Sequence, residues 1–435
     1  MPDPSLRYAL VILDGLGDLP NPETNGVSPI VAAKTPTLDA LAARGALGQV
    51  LLIRPGIAPE SDAGVLALLG YDPEHDSPGR GVLEALGVDI PLAPGDVALR
   101  ANFATASRDG TLLDSRVGRS LSTSEAADLS RSINEADLLA DQHIHAELRP
   151  TIGHRGVLWL HSISGEPLSP AVSNSDPFYE RTGGMGHARS VAAPTPLPIE
   201  PLAPDPAAVR TAAALNEWLG KVPPLLAGHR VNARRALRGG KLANLVILRN
   251  AGSLPAIPPV PFATKHGLPG AAITEMPVER GIAKLLGLAD VYVGPMGPDR
   301  RAALAERARV ARQALRDHPF VYIHLKGPDE PGHDGDARKK LEIVEDIDQS
   351  FFGPFVEGMD WDSIRIAVTA DHATPAILRR HSDDPVPLLM VGAGVTPSGG
   401  NPKFGGEAAG GSLGTIRGNE VLPRLWAGVP DRAST

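Results

Sequence analysis

Short, uninterrupted apolar runs recur along the chain, and each has the length of one buried strand. These runs are Tyr8–Leu13, Ala243–Asn250, Phe320–Gly327, Ile364–His372 and Val386–Gly394. Between several of them, apolar positions follow helical spacing, as in RAALAERARVARQALRD and ARKKLEIVEDIDQSFFGPF. Strands that alternate with helices predict an α/β fold with a mostly parallel sheet flanked by helices.

The segment Thr35–Gly45 predicts a helix with both of its ends marked. Thr35 is placed as the N-cap, Pro36 suits the first turn, and Gly45 follows the last turn. The segment that begins at Ser61, SDAGVLALLG, has an apolar run that also predicts a helix. Ser61 in this segment is either a helix cap or a group that takes part in chemistry.

The middle of the chain has a different pattern, with shorter strands and long segments rich in proline, glycine and serine. Residues 74–266 therefore predict a smaller α+β domain inserted into a core formed by residues 1–73 and 267–435. The clearest long loop is predicted at residues 173–206, and loops of this length are usually functional or mobile.

Composition excludes several classes of protein. The 435 residues are 42% hydrophobic and 21% charged, which is typical of a folded protein of two domains. A net charge of −8 argues against a nucleic-acid partner, and no stretch of about 20 apolar residues predicts a membrane span. The chain has no cysteine and no signal-peptide pattern, so we expect a cytoplasmic location. Composition leaves the oligomeric state open.

Acidic residues follow three of the predicted strands, and histidines accompany two of these acids. In an open α/β sheet the carboxyl ends of the strands meet at one edge, so these side chains should converge. The candidate groups are Asp14, Asp329, His333, Asp371, His372 and His381. Mixed carboxylate and imidazole ligation suits Mn²⁺ or Zn²⁺ better than Ca²⁺, and with Ser61 the seven groups are enough for two ions. Zn²⁺, Co²⁺ and Mg²⁺ stay open beside Mn²⁺.

The quoted segments together resemble a known family. VILDGLGDLP, AAKTPTLDALAARG, GIAPESDAGVLALLGYDP, GRGVLEALG, KGPDEPGHDGD, and TADHATP followed by HSDDPVP are similar to the archaeal-type cofactor-independent phosphoglycerate mutases of the alkaline phosphatase superfamily. The resemblance implies an alkaline-phosphatase-like core with an inserted lid domain. It also implies two metal ions, one held by Asp329, His333 and His381 and the other held by Asp14, Ser61, Asp371 and His372.

The resemblance further implies a mechanism and a substrate. Ser61 would accept the phosphoryl group of a phosphoglycerate and return it to the other hydroxyl of the glycerate, so 2- and 3-phosphoglycerate would interconvert. The substrate, a small phosphorylated carboxylic acid, needs cationic and hydrogen-bonding partners. The residues at the matching positions are Asp62, Arg80, His154, Arg155 and Arg249.

Three segments depart from the family pattern and keep other functions open. Glu60 stands where a glycine is expected before Ser61, Phe178 stands where a histidine is expected, and residues 294–301 replace a small-residue loop with GPMGPDRR. The alternatives are a recruited transferase of phosphoryl or phosphonyl groups in phosphonate metabolism, a metal-dependent phosphatase, and a binding protein without catalysis. In the transferase, Arg300 and Arg301 would contact an additional phosphate.

Overall fold

The structure, a computed structural model, describes residues 1–182, 185–189, 193–400, 402–406 and 411–430. The chain divides into two compact units: unit 1 is formed by Met1–Ser77 with Pro259–Thr435, and unit 2 by Pro78–Pro258. The sequence predicts boundaries after residues 73 and 266, whereas the compact units divide after residues 77 and 258. In the part of the chain that the structure describes, no helix has both the length and the apolar character that crossing a bilayer requires.

The elements follow in chain order. The strands in the described residues are β1 (Arg7–Leu13), β2 (Ala46–Leu51), β3 (Val97–Ala106), β4 (Leu112–Asp114), β5 (Ile144–Pro150), β6 (Arg155–Ser162), β7 (Tyr179–Thr182), β8 (Met185–Ala188), β9 (Leu245–Gly252), β10 (Gly270–Thr274), β11 (Ala289–Tyr292), β12 (Phe320–Leu325), β13 (Ile364–Thr369), β14 (Val386–Gly392) and β15 (Gly414–Arg417). The α-helices there are α1 (Pro29–Ala32), α2 (Pro36–Ala43), α3 (Ser61–Leu68), α4 (Pro73–Asp76), α5 (Arg80–Gly87), α6 (Thr123–Glu135), α7 (Pro206–Ala227), α8 (Arg230–Leu237), α9 (Phe262–His266), α10 (Pro277–Leu286), α11 (Arg300–Asp317), α12 (Asp329–Asp334), α13 (Ala337–Ile347), α14 (Gly353–Val356) and α15 (Val421–Ala427).

Unit 1 is built on a mostly parallel sheet with the order β11-β10-β12-β1-β13-β14-β2-β15. The pairs from β11 to β13 are parallel, and β14 runs antiparallel to both of its neighbours. Strands β12 and β13 are buried along their whole length, which explains their continuous apolar sequences. The predicted α/β class with a mostly parallel sheet is therefore confirmed.

Helix α2 begins where the sequence predicts, although its cap is different. Thr35 occupies the N-cap position, but its side chain makes no capping bond and instead donates to Asp39. The buried carboxylate of Asp348 accepts hydrogen bonds from the N–H groups of Thr37 and Leu38 at 3.1 and 2.7 Å. A distant acid therefore satisfies the first turn of α2, where a carboxylate is also favoured by the helix dipole.

Unit 2 has an antiparallel sheet in which β3 pairs with β6 on one edge and with β9 on the other. One cluster of buried residues packs Trp218 of α7 with residues of β3, β5 and β6, and a second packs Val82 and Ala85 of α5 with Ala98 and Val157. The predicted strand Ala243–Asn250 is β9, and it belongs to this sheet.

The segment 173–206 is not a loop throughout. Strands β7 and β8 pair as an antiparallel hairpin inside it, with Tyr179 opposite Ala188. Residues 183–184 and 190–192 of the predicted loop lie outside the described residues. The sequence hides the hairpin because each strand has only four residues.

Candidate metal centre and arginine cluster

The ends of three neighbouring strands bring the predicted acids of unit 1 together. Strand β1 lies between β12 and β13, so Asp14, Asp329 and Asp371 follow adjacent strands at the same edge. Gly15 links the loop after β1 to the loop after β13, because its N–H donates to Asp371 Oδ1 at 3.0 Å. A Cβ atom on Gly15 would lie 2.7 Å from the Cβ of Asp329, and its φ is +60°, so only glycine allows this approach.

The first group of side chains, called site 1, consists of Asp329, His333 and His381. Both imidazole Nε2 atoms lie 3.5 Å from Asp329 Oδ1, and one ligand atom of each residue lies within 4.8 Å of the others. Burial opposes ionisation of Asp329, yet its hydrogen bond with His381 holds the pKa of this carboxyl below its ordinary value. His333 follows Asp329 by one turn of α12, which places both on one helix face.

The second group, called site 2, consists of Asp14, Ser61, Asp371 and His372. His372 Nε2 lies 3.5 Å from Asp14 Oδ1 and 3.6 Å from Asp371 Oδ2. Burial raises the pKa of Asp14, but nearby Lys326 and two histidines outweigh it and hold this pKa well below its ordinary value. Asp371 Oδ2 is buried and makes no hydrogen bond among the described residues. A buried carboxylate oxygen that makes no hydrogen bond and faces imidazole nitrogens fits a bound cation.

The orientation of the three histidines also fits metal ligation. Nδ1 of His381 donates to the carbonyl of Pro59 at 2.9 Å, and Nδ1 of His333 donates to the carbonyl of Arg379 at 3.3 Å. Nδ1 of His372 lies 3.0 Å from Thr374 Oγ1. In a neutral imidazole with its proton on Nδ1 the lone pair lies on Nε2, and each Nε2 faces an aspartate. The residues present therefore suit divalent metal ions.

Ser61 is not the cap of its helix. The N-cap of α3 is Glu60, and Ser61 is the first residue of the helix. Its Oγ lies 3.2 Å from His372 Nε2 and 3.5 Å from Asp14 Oδ1. A Cβ atom on Gly64 would lie 1.8 Å from the carbonyl oxygen of Asp371, so the glycine lets α3 pack directly against this edge. The hydroxyl thus lies among groups able to activate it.

Several residues of the centre escaped the sequence analysis. His324 of β12 places Nε2 3.4 Å from Asp371 Oδ2, and with Asp14 the three residues form a further group able to hold a metal ion. Lys326 Nζ lies 3.3 Å from Asp14 Oδ1 and 2.7 Å from Glu279 Oε1. The sequence feature that could have revealed them is the presence of a histidine and a lysine in the otherwise apolar segment FVYIHLK.

Unit 2 contains a second concentration of charge, here called the arginine cluster: Arg80, Arg100, Arg155 and Arg249. Glu84 Oε1 accepts a hydrogen bond from Arg80 Nε at 3.1 Å and lies 3.5 Å from Arg100 Nε. Burial, together with the other arginines, lowers the pKa of Arg100 to about 9 although Glu84 opposes this. Arg100, on β3, was missed by the sequence analysis.

The remaining predicted substrate residues lie in different places. The guanidinium of Arg249 lies 3.5 Å from the ring centre of Tyr179 and 3.6 Å from Asp176 Oδ2. Burial and the positive charge of Arg155 and Arg100 lower the pKa of His154 to about 3, so the cluster includes a neutral imidazole. Asp62 belongs to unit 1, in the first turn of α3. The structure therefore brings the predicted arginines and His154 together, but Asp62 lies in the other unit.

The structure shows the contacts or exposure of residues in two of the segments that depart from the family pattern. Arg300 Nη1 and Arg301 Nε lie 3.2 and 2.7 Å from the carboxylate of Asp346. Both guanidinium groups thus pair with one carboxylate within unit 1, whereas the transferase alternative assigned them to an additional phosphate. Phe178 is exposed.

An α/β core whose sheet edge gathers carboxylates, imidazoles and a serine hydroxyl defines a class of metal-binding phosphoryl-transfer proteins. The family model described as 2,3-bisphosphoglycerate-independent phosphoglycerate mutase matches residues 42–232. Relatives that carry this name include one from Aeropyrum pernix, 43% identical over 96% of this chain and 98% of its own, and one from Methanopyrus kandleri, 39% identical over 88% and 87%. The chain belongs to the 2,3-bisphosphoglycerate-independent phosphoglycerate mutase family.

Solved structures agree with this assignment. A protein of Pyrococcus horikoshii superposes with a TM-score of 0.75 at 30% identity, covering 97% of both chains. A cofactor-independent phosphoglycerate mutase from Thermoplasma acidophilum superposes with a TM-score of 0.61 at 31% identity, covering 97% of this chain and 99% of its own.

Proposed function

We propose that this chain interconverts 2-phosphoglycerate and 3-phosphoglycerate through a phosphorylated Ser61. The observation that carries the proposal is the position of Ser61 Oγ, 3.2 Å from His372 Nε2 and 3.5 Å from Asp14 Oδ1. The relatives from Aeropyrum pernix and Methanopyrus kandleri, both named as phosphoglycerate mutases, support the same activity. Because phosphoglycerate interconversion is a step of glycolysis, a cytoplasmic enzyme is part of this proposal.

Two divalent metal ions are the cofactors we propose, with manganese as the first candidate. Site 1 would hold one ion, and site 2 would hold the other, with His324 as an additional neighbour. When bound, the ions supply positive charge to the transferring phosphoryl group and lower the pKa of the Ser61 hydroxyl. The side chains of each site would hold the ions, because the aspartates supply negative charge and the imidazoles direct Nε2 toward the ion.

The reaction balances without water. Ser61 Oγ forms a bond to phosphorus while the ester bond to the 3-oxygen of the glycerate breaks. The proton lost by the serine hydroxyl is matched by the proton gained at the 3-hydroxyl. In the second half, the 2-oxygen of the glycerate attacks the phosphoserine and regenerates Ser61. Water must be excluded between the two halves, because its attack would release inorganic phosphate.

Unit 2 is the substrate-binding domain in this proposal. The arginine cluster holds four guanidinium groups against the carboxylates of Glu84 and Asp176, so the site favours an anion. Arginine binds both carboxylate and phosphate through paired N–H groups, which are the two charged groups of a phosphoglycerate. The neutral imidazole of His154 supplies a hydrogen bond without further charge. Asp62, next to Ser61 in unit 1, is a further proposed substrate contact.

The test is conversion of 3-phosphoglycerate by the manganese-loaded chain, followed through enolase as an increase in phosphoenolpyruvate absorbance. We expect turnover that requires the metal, with little inorganic phosphate released. Phosphate release without phosphoenolpyruvate would identify a phosphatase and contradict the proposal. Absence of both products with the metal bound would also contradict it.

A further inference from the structure

A completely buried lysine contacts the loops that carry the metal centre. Lys340 lies in the first half of α13, and its side chain and that of Asp18 are each 0% exposed. Its Nζ is 2.8 Å from Asp18 Oδ2 and donates to the carbonyl oxygens of Gly15, Gly17 and Thr374 at 2.9, 3.1 and 2.9 Å. An ammonium group has three hydrogens, so all of its donors are used inside the protein.

The partners of Lys340 belong to the two loops that carry site 2. Gly15 and Gly17 follow Asp14 at the end of β1, and Thr374 follows His372 after β13. Asp18 also spans both loops, because its carboxylate accepts the N–H of Leu19 at 2.8 Å and the N–H of Ala376 at 3.2 Å. The Lys340–Asp18 pair therefore connects the loop after β1 to the loop after β13.

Two of the three residues whose carbonyls accept from Lys340 also contact proposed metal ligands. Gly15 donates its N–H to Asp371 Oδ1 at 3.0 Å. Thr374 Oγ1 donates to Asp329 Oδ1 at 2.7 Å and lies 3.0 Å from His372 Nδ1. The contacts of one ammonium group thus reach carboxylates and an imidazole from both sites.

Stability alone is a weak reason for such an arrangement. Burying an ammonium and a carboxylate is costly, and replacing a buried ion pair by apolar side chains is often neutral or stabilising. An apolar side chain would remove the donor of the Gly15 and Thr374 carbonyls, whereas the Gly17 carbonyl would keep the N–H of Thr374 at 3.0 Å. Unpaired buried carbonyls favour rearrangement of their loops. The ammonium group therefore fixes the conformation of the loops after β1 and β13.

We propose that Lys340, together with Asp18, is a positioning residue of the metal centre, fixing the loops after β1 and β13 so that their side chains face the same cations. The inference rests on the metal sites of the proposed function. It assigns no contact between Lys340 and substrate or metal.

The experiment compares K340M with K339M in the full-length, metal-stripped chain by calorimetric titration with Mn²⁺. Lys339 is the matched control, because it is adjacent, exposed and paired only with Glu342 among the described residues. Changes in groups that orient metal ligands typically weaken metal binding about 10–100-fold. We expect a loss in this range for K340M, with altered Mn²⁺ electron paramagnetic resonance, and less than about twofold change for K339M.

The double variant K340M/D18N separates positioning from stability. Removing both charges relieves the unpaired carboxylate, so the melting temperature should recover toward that of the parent. The Mn²⁺ affinity should stay low, because the carbonyls of Gly15 and Thr374 still lack the donor that Lys340 supplies. D18N alone keeps the ammonium group and an oxygen acceptor at position 18, but it removes the carboxylate that pairs with Lys340, and it should lose several-fold in affinity.

The outcomes are distinct. If K340M/D18N and D18N bind Mn²⁺ as tightly as the parent, Lys340 serves stability alone and the inference is overturned while the proposed function stands. If the parent chain itself binds no divalent cation, the proposed function fails first, and the inference fails with it.

Discussion

The metal centre of unit 1 and the arginine cluster of unit 2 collect ionisable side chains of different chemistry. In unit 1, aspartates are surrounded by Lys326 and histidines, and the pKa of Asp14 is held well below its ordinary value. In unit 2, the pKa of Arg100 is lowered because the guanidinium is buried and because other arginines lie near it. Carboxylates and imidazoles are ligands of divalent cations, whereas guanidinium groups bind anions, so we expect cations in unit 1 and an anion in unit 2.

The two regions also differ in how they are assembled. The metal centre draws on side chains that begin at residue 14 and end at residue 381, and loops at a sheet edge bring them together. The arginine cluster stands on α5 and on the paired strands β3, β6 and β9. A change in the metal centre should therefore affect chemistry and cation binding, whereas a change in the cluster should affect substrate binding alone.

The largest expected effect comes from S61A. Loss of the proposed nucleophile should lower mutase turnover about 10⁴-fold or more, because no other hydroxyl replaces it. The enolase-coupled assay measures turnover, and elemental analysis measures bound manganese, which should change little because other ligands remain. S363A is the control, since Ser363 lies on an exposed turn. Turnover of S61A within tenfold of the parent would contradict the assignment of Ser61.

Metal loading should stabilise the chain measurably. A ligand that binds only the folded state at 100 times its Kd adds about 2.7 kcal/mol to the free energy of unfolding. Calorimetric melting with and without Mn²⁺ should show this increase for the parent and for H145A, which changes an exposed histidine of unit 2. H381A, which removes a member of site 1, should lose a large part of it. An equal increase in all three proteins would place the binding of manganese elsewhere.

A change in the arginine cluster should separate substrate binding from metal binding. R249A removes a guanidinium from the cluster and should raise KM for 3-phosphoglycerate about 10–100-fold, corresponding to one lost charge-assisted bond. Manganese affinity should be unchanged. R238A is the control because Arg238 is an exposed arginine of the same unit. A reduced manganese affinity in R249A would break the distinction between the two regions.

The last expected effect concerns pH. The folded pKa of His154 is lowered to about 3, first by burial and then by Arg155 and Arg100. In the unfolded chain a histidine takes up its proton near pH 6.5. As pH falls from 6.5 toward 3, the unfolded state binds a proton that the folded state refuses, so stability is lost with decreasing pH.

For this single group the slope is at most about 1.4 kcal/mol per pH unit. Urea unfolding at pH 7, 6, 5 and 4 should therefore show a shallower acid decline for H154Q than for the parent. Parallel declines for the two proteins would show that His154 is protonated in the folded state.

The parts of the site that follow from local pattern were predictable. Asp14, Asp329 and Asp371 each follow an apolar strand, and a parallel sheet places such positions at one edge. Lys340 was not predictable, because a lysine in a helix normally indicates a solvent-facing position. Only the packing of α13 against both loops turns it inward. His324 was hidden in a similar way, inside a strand that otherwise reads as apolar core.

The discontinuity of unit 1 along the chain has a consequence for protein synthesis. Asp14 and Ser61 leave the ribosome first, the whole of residues 78–258 follows, and His372 and His381 emerge near the end. An inserted domain can fold while its host waits for its second half. A nascent or prematurely terminated chain therefore presents a serine with no imidazole beside it, and phosphate chemistry begins only once translation is nearly finished.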